Sequence, residues 1–190
     1  INKNLSEEEI MRAVELLTGD GVESLKLYFM CGLPTETEED LEGIVELTAR
    51  IRDRMVASGR QRGRVGRIKV SINPFVPKPW TPFQWEPMME VSDLKKRIGR
   101  LRSRLGRIPN VTVESESPRE AYLQTLFSRG DRRVASVVEA LAGKENWWQE
   151  LGAMSRGRHP TVQLDTDSFV TGSYEQASLL PWDFIDHHIE

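Results

Sequence analysis

Few side chains in this sequence of 190 residues could act as a nucleophile, a base or a metal ligand. There is one cysteine, Cys31, and there are three histidines, His159, His187 and His188. A thiolate nucleophile needs a base close by, and no histidine lies near Cys31 along the chain. We therefore expect Cys31 to be a small buried apolar residue. No thiol or carboxylate stands at metal-ligand spacing from the histidines, so the sequence predicts no metal site.

A turn of sequence Gly32-Leu33-Pro34 follows Cys31. Glycine lets a ligand approach the backbone closely, and the proline fixes the chain just above the preceding strand. The next helix presents free N–H groups that suit a carboxylate or phosphate. Four carboxylates stand at this helix start: Glu36, Glu38, Glu39 and Asp40. The helix dipole explains them, but Glu36 lies in the turn itself, where a ligand would pass. Loop geometry alone is the other explanation of the turn.

The composition excludes several classes of protein. One cysteine cannot form a disulfide framework, a structural zinc site or a self-contained iron–sulfur cluster. No stretch approaches the roughly 20 apolar residues that span a bilayer, and no basic-then-apolar leader is seen. We therefore expect no membrane partner and a cytoplasmic location. The chain begins Ile1-Asn2-Lys3 without an initiator methionine, so we expect a piece of a longer protein.

Positive charge is concentrated in residues 50–107. This segment holds 16 Lys or Arg residues and 4 Asp or Glu residues, although the whole chain has a formal net charge of −3. A basic segment can bind nucleic acid through its phosphates. It can also be a set of solvated helix faces and a flexible loop. No aromatic stacking pattern interleaves the arginines, so the sequence favours the second interpretation.

Strand and helix patterns alternate over residues 1–117. Apolar residues alternate in strands at about 24–31, 67–75 and 110–116. Strand–helix–strand order at these lengths implies parallel pairing through right-handed crossovers. The predicted fold class is therefore α/β, either an open sheet or part of a barrel. Residues 118–190 are predicted to form a helical extension with a loop-rich tail.

Helix starts have recognisable caps. A capping box is predicted where Ser6 stands three residues before Glu9. Thr37 with Asp40 is predicted to cap the second helix, and Ser92 the third.

Both longer strands carry a polar face besides an apolar one. The polar positions are Lys26, Tyr28, Lys69, Ser71 and Asn73. Parallel strands with helices on both faces should be apolar throughout, whereas a barrel with a wet lumen has polar inner positions. The pattern favours a barrel, and edge strands are the alternative.

A proline-rich segment, residues 74–87, follows the second strand. It contains four aromatic residues: Phe75, Trp80, Phe83 and Trp85. Aromatic side chains are unusual in a simple rigid linker. They predict either the wall of a pocket or docking on a neighbouring element, and the sequence does not decide between these.

Two segments resemble parts of the radical S-adenosylmethionine (radical SAM) enzymes. Residues 25–41 are similar to the fifth barrel strand and its following loop, and residues 71–85 to the sixth strand and its exit. Two later motifs, Ser128-Arg129-Gly130-Asp131-Arg132-Arg133 and Leu180-Pro181-Trp182-Asp183, resemble the branch with an N-terminal cobalamin-binding domain. The resemblance covers nearly the whole chain.

The resemblance implies a fold and a mechanism. In this family a CxxxCxxC motif holds a [4Fe–4S] cluster, which cleaves S-adenosylmethionine reductively to a 5′-deoxyadenosyl radical. The radical abstracts hydrogen from substrate inside a partial (β/α)₆ TIM-like barrel. This chain would supply the C-terminal half of that barrel and its helical extension. CxxxCxxC is absent, so we expect no bound cofactor and no activity for this chain alone, and no catalytic residue is assigned.

Cofactor contacts are implied by the matched motifs. Gly32, Leu33 and Pro34 would border S-adenosylmethionine, and Asn73, Phe75 and Val76 would lie near its adenosine. Glu36 in the turn and Ser71 on the polar face complete the predicted cofactor-binding set.

Several partners are implied. The first is the missing N-terminal half, with the cluster and, as a further candidate, cobalamin. The substrate is not indicated, although an RNA-modifying enzyme would use the basic segment. An open sheet edge would favour self-association. The alternative functions are an RNA-binding module and a structural half-barrel that docks a separate cluster-bearing subunit.

Overall fold

A computed structural model describes residues 5–60 and 62–186. Its elements are α1 (Glu7–Gly19), β1 (Ser24–Cys31), α2 (Glu38–Arg60), β2 (Arg67–Pro74), α3 (Val91–Leu105), β3 (Val111–Ser115), α4 (Pro118–Arg129), α5 (Val134–Leu141), α6 (Trp147–Ser155) and α7 (Asp167–Val170). The three strands lie where the alternating pattern predicts them. Ile1-Asn2-Lys3, His187 and His188 are outside the described residues.

The strands form one parallel sheet in the order β1-β2-β3. Ile68 of β2 stands opposite Val111 of β3, and Ile72 stands opposite Ser115. Parallel neighbours need a crossover connection, which α2 supplies between β1 and β2 and α3 between β2 and β3. The predicted α/β class is confirmed. Because β2 is the central strand, an edge position does not explain its polar residues.

The described residues divide into two compact units. The sheet unit contains residues 5–31, 35–73 except 61, and 95–116. The helical unit contains residues 32–34, 74–94 and 117–186. The proline-rich segment thus belongs with the C-terminal helices, whereas the sequence suggested only a division after residue 117.

Two of the predicted helix caps are confirmed. The Ser6 hydroxyl accepts the Glu9 N–H at 3.2 Å, and the Glu9 carboxylate accepts the Ser6 N–H at 2.7 Å. Thr37 and Asp40 make the same reciprocal pair at 3.3 and 2.8 Å. Hydrogen bonds from the Thr37 backbone and side chain lower the pKa of the Asp40 carboxyl group. Each pair satisfies N–H groups that a helix start leaves without a helical acceptor.

The predicted cap at Ser92 is wrong. Helix α3 begins at Val91, one residue earlier, so Ser92 lies inside its first turn. The Glu90 carbonyl accepts the N–H groups of Asp93 (3.0 Å) and Leu94 (2.9 Å). A cap therefore stands at Glu90, whose type gives no capping signal in the sequence.

The sheet unit is apolar on one side of β2. Ile68, Val70 and Ile72 are buried, as are Ile51 of α2 and Leu101 of α3. Since successive strand residues point to opposite faces, these three β2 residues share the face that the crossover helices cover.

Arginines of the basic segment are largely paired within the sheet unit. Three join α3 to the start of α2: Arg97 to Glu36, Arg100 to Glu38 and Arg104 to Glu42. Three more bind acidic residues before residue 24: Arg50 to Glu7, Arg54 to Glu15 and Arg64 to Glu23. These ion pairs join the basic segment to acidic residues at the start of the chain and of α2, and both interpretations of the segment remain predictions.

The helical unit is organised around a buried arginine, Arg129, at the end of α4. Its Nη1 donates to the carbonyl oxygens of Phe169 (2.9 Å) and Val170 (3.1 Å), and its Nη2 to that of Gly172 (3.0 Å). The guanidinium carbon lies 4.4 Å from the Tyr174 ring centre. Burial lowers the pKa of this guanidinium. Arg129 therefore fixes the 169–174 segment through backbone carbonyls rather than through a carboxylate.

The proline-rich segment is bound by the end of the chain. Trp182 is buried, and its indole N–H donates to Gln84 Oε1 at 2.9 Å. The Tyr174 N–H donates to the Trp85 carbonyl at 2.9 Å. These bonds favour docking as the role of much of the aromatic segment. Among the helices that the structure describes, none combines the length and apolar character that crossing a bilayer requires.

Candidate functional site

One face of the sheet is polar on all three strands. Its polar side chains follow from the period-two alternation and from the register that sets Ser71 beside Glu114: Lys26, Tyr28, Lys69, Ser71, Asn73, Thr112 and Glu114. We call this set the polar face. It contains every polar strand position that the sequence proposed for a ligand, all of them on β1 and β2, and it adds Thr112 and Glu114 of β3.

A carboxylate stands between two ammonium groups at the centre of the polar face. Glu114 Oε1 lies 2.6 Å from Lys26 Nζ, and Oε2 lies 2.5 Å from Lys69 Nζ. Lys26 Nζ is also 4.7 Å from the Tyr28 ring centre. The exposed fractions of the three side chains are 39% for Lys26, 39% for Glu114 and 50% for Lys69. The cluster is solvent-accessible and keeps one net positive charge, which suits an anionic group on a ligand.

Hydrogen bonding tunes the titration of this cluster. The bond from Lys26 is the main cause that lowers the pKa of the Glu114 carboxyl group, and the bond from Lys69 adds to it. The same contact raises the pKa of Lys26. Both shifts favour the charged forms, so the ion pairs persist at neutral pH.

Replacing Lys26 with methionine is expected to raise the pKa of the Glu114 carboxyl group toward its ordinary value of 4.5, because its largest favourable contact is lost. A carboxyl ¹³C NMR titration measures this. Lys95→Met, on α3, is the matched control and should leave the Glu114 midpoint unchanged. The stabilisation linked to Glu114 is present above its unfolded pKa and is lost as pH falls through the lowered folded value. An unchanged Glu114 midpoint in Lys26→Met would contradict the geometry.

Two predicted cofactor residues meet near the carboxyl end of β2. Ser71 is buried and its hydroxyl donates to Asn73 Oδ1 at 3.3 Å. Asn73 itself is half-buried. Ligands of parallel α/β sheets bind beyond the carboxyl ends of the strands, so this pair has a suitable position and offers both donors and acceptors.

Cys31 is fully buried and lies on the strand positions opposite to the polar face. Its Sγ is 3.8 Å from Glu36 Oε1. Burial, with the nearby Glu36 carboxylate, raises the pKa of Cys31 to about 12. The residue is therefore a neutral, buried thiol at neutral pH, which does not suit it to act as a nucleophile. This agrees with the buried role that we expect from the sequence.

Glu36 has a structural partner that its position in the turn does not reveal. Arg97 Nη1 donates to Glu36 Oε1 at 2.8 Å and to the Glu36 carbonyl at 3.1 Å. The Glu36 side chain is 4% exposed and that of Arg97 is 24% exposed. The pair joins the start of α2 to α3, which accounts for a carboxylate at this position without a ligand.

The other predicted cofactor residues belong to the helical unit. Gly32 has φ +90°, and a Cβ there would lie 2.9 Å from Leu94 Cδ1, so the position demands glycine for structural reasons alone. Leu33, Pro34 and Val76 are half-buried. Phe75 is buried, and its ring packs edge-to-face on Phe83 with centres 5.5 Å apart. No observed contact tests the cofactor role of these residues, which stays a prediction.

Sequence reasoning missed Glu114. Its polar neighbours on the chain, Thr112 and Glu116, suggest only a short alternating strand. The register that sets β3 beside β2 is what brings Glu114 between two lysines. Within residues 5–60 and 62–186, no group of three or more His, Cys, Asp or Glu side chains is arranged to hold a metal ion.

This chain is similar to Uncharacterized protein MJ0966 of Methanocaldococcus jannaschii, with 32% identical residues over an alignment of 139 residues. The aligned residues cover 73% of this chain and 28% of that protein, so the chain spans little more than a quarter of the relative's length. No protein-family model matches the chain. No solved structure matches it either.

Proposed function

We propose that this chain forms the last strands of the barrel of a radical SAM enzyme, with the polar face lining the lumen. The observation that carries the proposal is the polar face itself, because it lies on a parallel sheet whose opposite face is apolar. Helices on both faces of an open sheet would require apolar residues on both. A closed barrel with a ligand in its lumen accommodates this arrangement.

S-adenosylmethionine with a reduced [4Fe–4S] cluster supplies a 5′-deoxyadenosyl radical when both are bound. The residues of this chain do not fit the cluster, since a cluster needs three or four thiolates and Cys31 is the single thiol and is buried. We therefore assign the cluster to another part of a longer polypeptide. The relative, of which this chain spans 28%, supports a longer parent.

Ser71 and Asn73 have the side-chain chemistry to bind S-adenosylmethionine, whereas an iron–sulfur cluster needs thiolate ligands. Their hydroxyl and amide groups are the hydrogen-bonding types that an adenosine or a methionine carboxylate needs. They stand near the carboxyl end of the central strand, where family resemblance puts the cofactor. Gly32, Leu33, Pro34, Phe75 and Val76 remain proposed contacts by resemblance alone.

The test is S-adenosylmethionine binding by the anaerobically reconstituted full-length protein. Asn73→Ala is expected to weaken binding about 5- to 10-fold, the effect of one lost hydrogen bond. Ser103→Ala, an exposed hydroxyl on α3, is the control and should leave the dissociation constant within about twofold. Full-length protein that binds no S-adenosylmethionine, or that binds it equally well with Asn73→Ala, would contradict this assignment.

A further inference from the structure

The helical unit contains a cleft of small-ligand size that the proposed function does not use. Its volume is about 340 Å³, and α4, α6 and the start of α7 line it. Its polar and aromatic lining includes Glu90, Tyr122, Trp148, Ser155, Arg156 and Asp167. Clefts of this size with an aromatic wall and a few converging polar groups are the usual form of a small-molecule site.

The polar part of the cleft is a fixed carboxylate, that of Asp167. The Tyr122 hydroxyl donates to Asp167 Oδ1 at 2.5 Å, and the Ser155 hydroxyl donates to Oδ2 at 3.0 Å. Tyr122 is buried and also lies 2.7 Å from the buried Thr166 hydroxyl. These donors are neutral, so they orient the carboxylate and leave its negative charge in place. A carboxylate has about four acceptor sites, which leaves two for a ligand.

The wall of the cleft is aromatic. The Tyr122 and Trp148 rings pack edge-to-face with centres 5.3 Å apart, and Trp147 braces Trp148 in the same way at 5.8 Å. The Arg119 guanidinium carbon lies 5.4 Å from the Trp148 ring centre. One cation of the protein itself therefore already lies over the indole.

The charged group with free acceptor sites in the cleft is the Asp167 carboxylate. The lining contains two carboxylates, Glu90 and Asp167, and one guanidinium, that of Arg156, and a second guanidinium, that of Arg119, stands at the Trp148 ring. An ammonium group on a ligand would form an ion pair with the Asp167 carboxylate. An apolar body on the same ligand would pack against the Trp148 ring. An anionic ligand in the same position would be repelled by the Asp167 carboxylate, although Arg156 and Arg119 would attract it.

We propose that this cleft binds an organic ammonium compound, an amine carried on an apolar body. Asp167 accepts hydrogen bonds from the ammonium group, and Trp148 packs against the apolar part. The cleft belongs to the helical unit, whereas the polar face belongs to the sheet unit, so this site stands whether or not the chain is part of a radical SAM enzyme.

The experiment is a titration of the 190-residue chain with 2-phenylethylamine, followed by saturation-transfer NMR and calorimetry. The comparison probe is 3-phenylpropionate, which has a similar body and the opposite charge. The amine is expected to bind at least about 10-fold more tightly than the carboxylate, since its ammonium group makes a charge-assisted hydrogen bond to Asp167. Equal or tighter binding of 3-phenylpropionate, or no binding of the amine, would overturn the proposal.

The Asp167→Asn variant tests whether the amine binds at the Asp167 carboxylate. It keeps an acceptor for the Tyr122 hydroxyl and removes the charge, so the amine dissociation constant should rise about 10-fold. Glu139→Gln, an exposed carboxylate-to-amide change on α5, is the matched control and should change it less than twofold. If Asp167→Asn fails to fold, Glu90→Gln at the exposed rim serves instead, with a weakening of about threefold or more expected. Unchanged amine binding in the folded variant would refute the site.

Discussion

Replacing Arg129 with methionine is expected to lower the free energy of unfolding of the helical unit by about 3–5 kcal/mol. Methionine nearly preserves the buried volume but donates no hydrogen bond. The carbonyl oxygens of Phe169 and Gly172 would then lose the Arg129 donors, the first of them in a buried place, and that of Val170 would keep only the Met88 N–H. Each buried acceptor left without a donor costs about 1–3 kcal/mol.

Tryptophan fluorescence measures this variant selectively. All five tryptophans belong to the helical unit: Trp80, Trp85, Trp147, Trp148 and Trp182. A urea titration followed by fluorescence therefore reports on that unit. Arg132→Met, an exposed neighbour, is the matched control and should stay within about 0.5 kcal/mol of the unsubstituted chain. A loss below about 1 kcal/mol for Arg129→Met would show that Arg129 does not hold the 169–174 segment.

Replacing Arg97 with methionine is expected to destabilise the sheet unit by about 3 kcal/mol. The variant removes the guanidinium that faces a carboxylate with only 4% exposure, that of Glu36. Taking one partner from a buried ion pair costs more than the pair itself contributes, because the other charge stays out of water. Adding Glu36→Gln to Arg97→Met should therefore recover most of the loss.

The thiol of Cys31 supplies the measurement for the Arg97 variants. It is the single cysteine and is fully buried in the sheet unit, so its reaction with a disulfide reagent in increasing urea follows the opening of that unit. Arg100→Met is the control, because the Arg100–Glu38 pair is mostly exposed and should contribute less than about 1 kcal/mol. Additive effects of Arg97→Met and Glu36→Gln would contradict the coupling of these two residues.

The alternation of apolar residues and the spacing of capping residues, both local in the sequence, predicted the strands and two of the helix starts. Ile68, Val70 and Ile72 alternate in the sequence and are buried together in β2. The Thr37 cap follows from residue types three positions apart, which is a local interaction. The cap at Ser92 was wrong because the helix begins one residue earlier, at Val91, and neither Glu90 nor Val91 is a residue type that signals a helix start.

The parts of the site that depend on distant residues could not be predicted. Glu114 reaches Lys26 and Lys69 only through strand register, and Arg97 reaches Glu36 across 61 residues of chain. Arginine is rarely buried, so nothing local indicated that Arg129 would bind carbonyls about 40 residues later. The motif containing Arg129 was noticed by resemblance, and the structure supplies its physical role.

The most direct test of the proposed radical SAM function is the formation of 5′-deoxyadenosine by the full-length protein. The reading frame that contains this chain should encode a CxxxCxxC motif before Ile1. The anaerobic protein, reconstituted with iron and sulfide and reduced with dithionite, should convert S-adenosylmethionine to 5′-deoxyadenosine and methionine. A full-length protein that lacks the motif, or that carries a [4Fe–4S] cluster and produces no 5′-deoxyadenosine, would contradict the account.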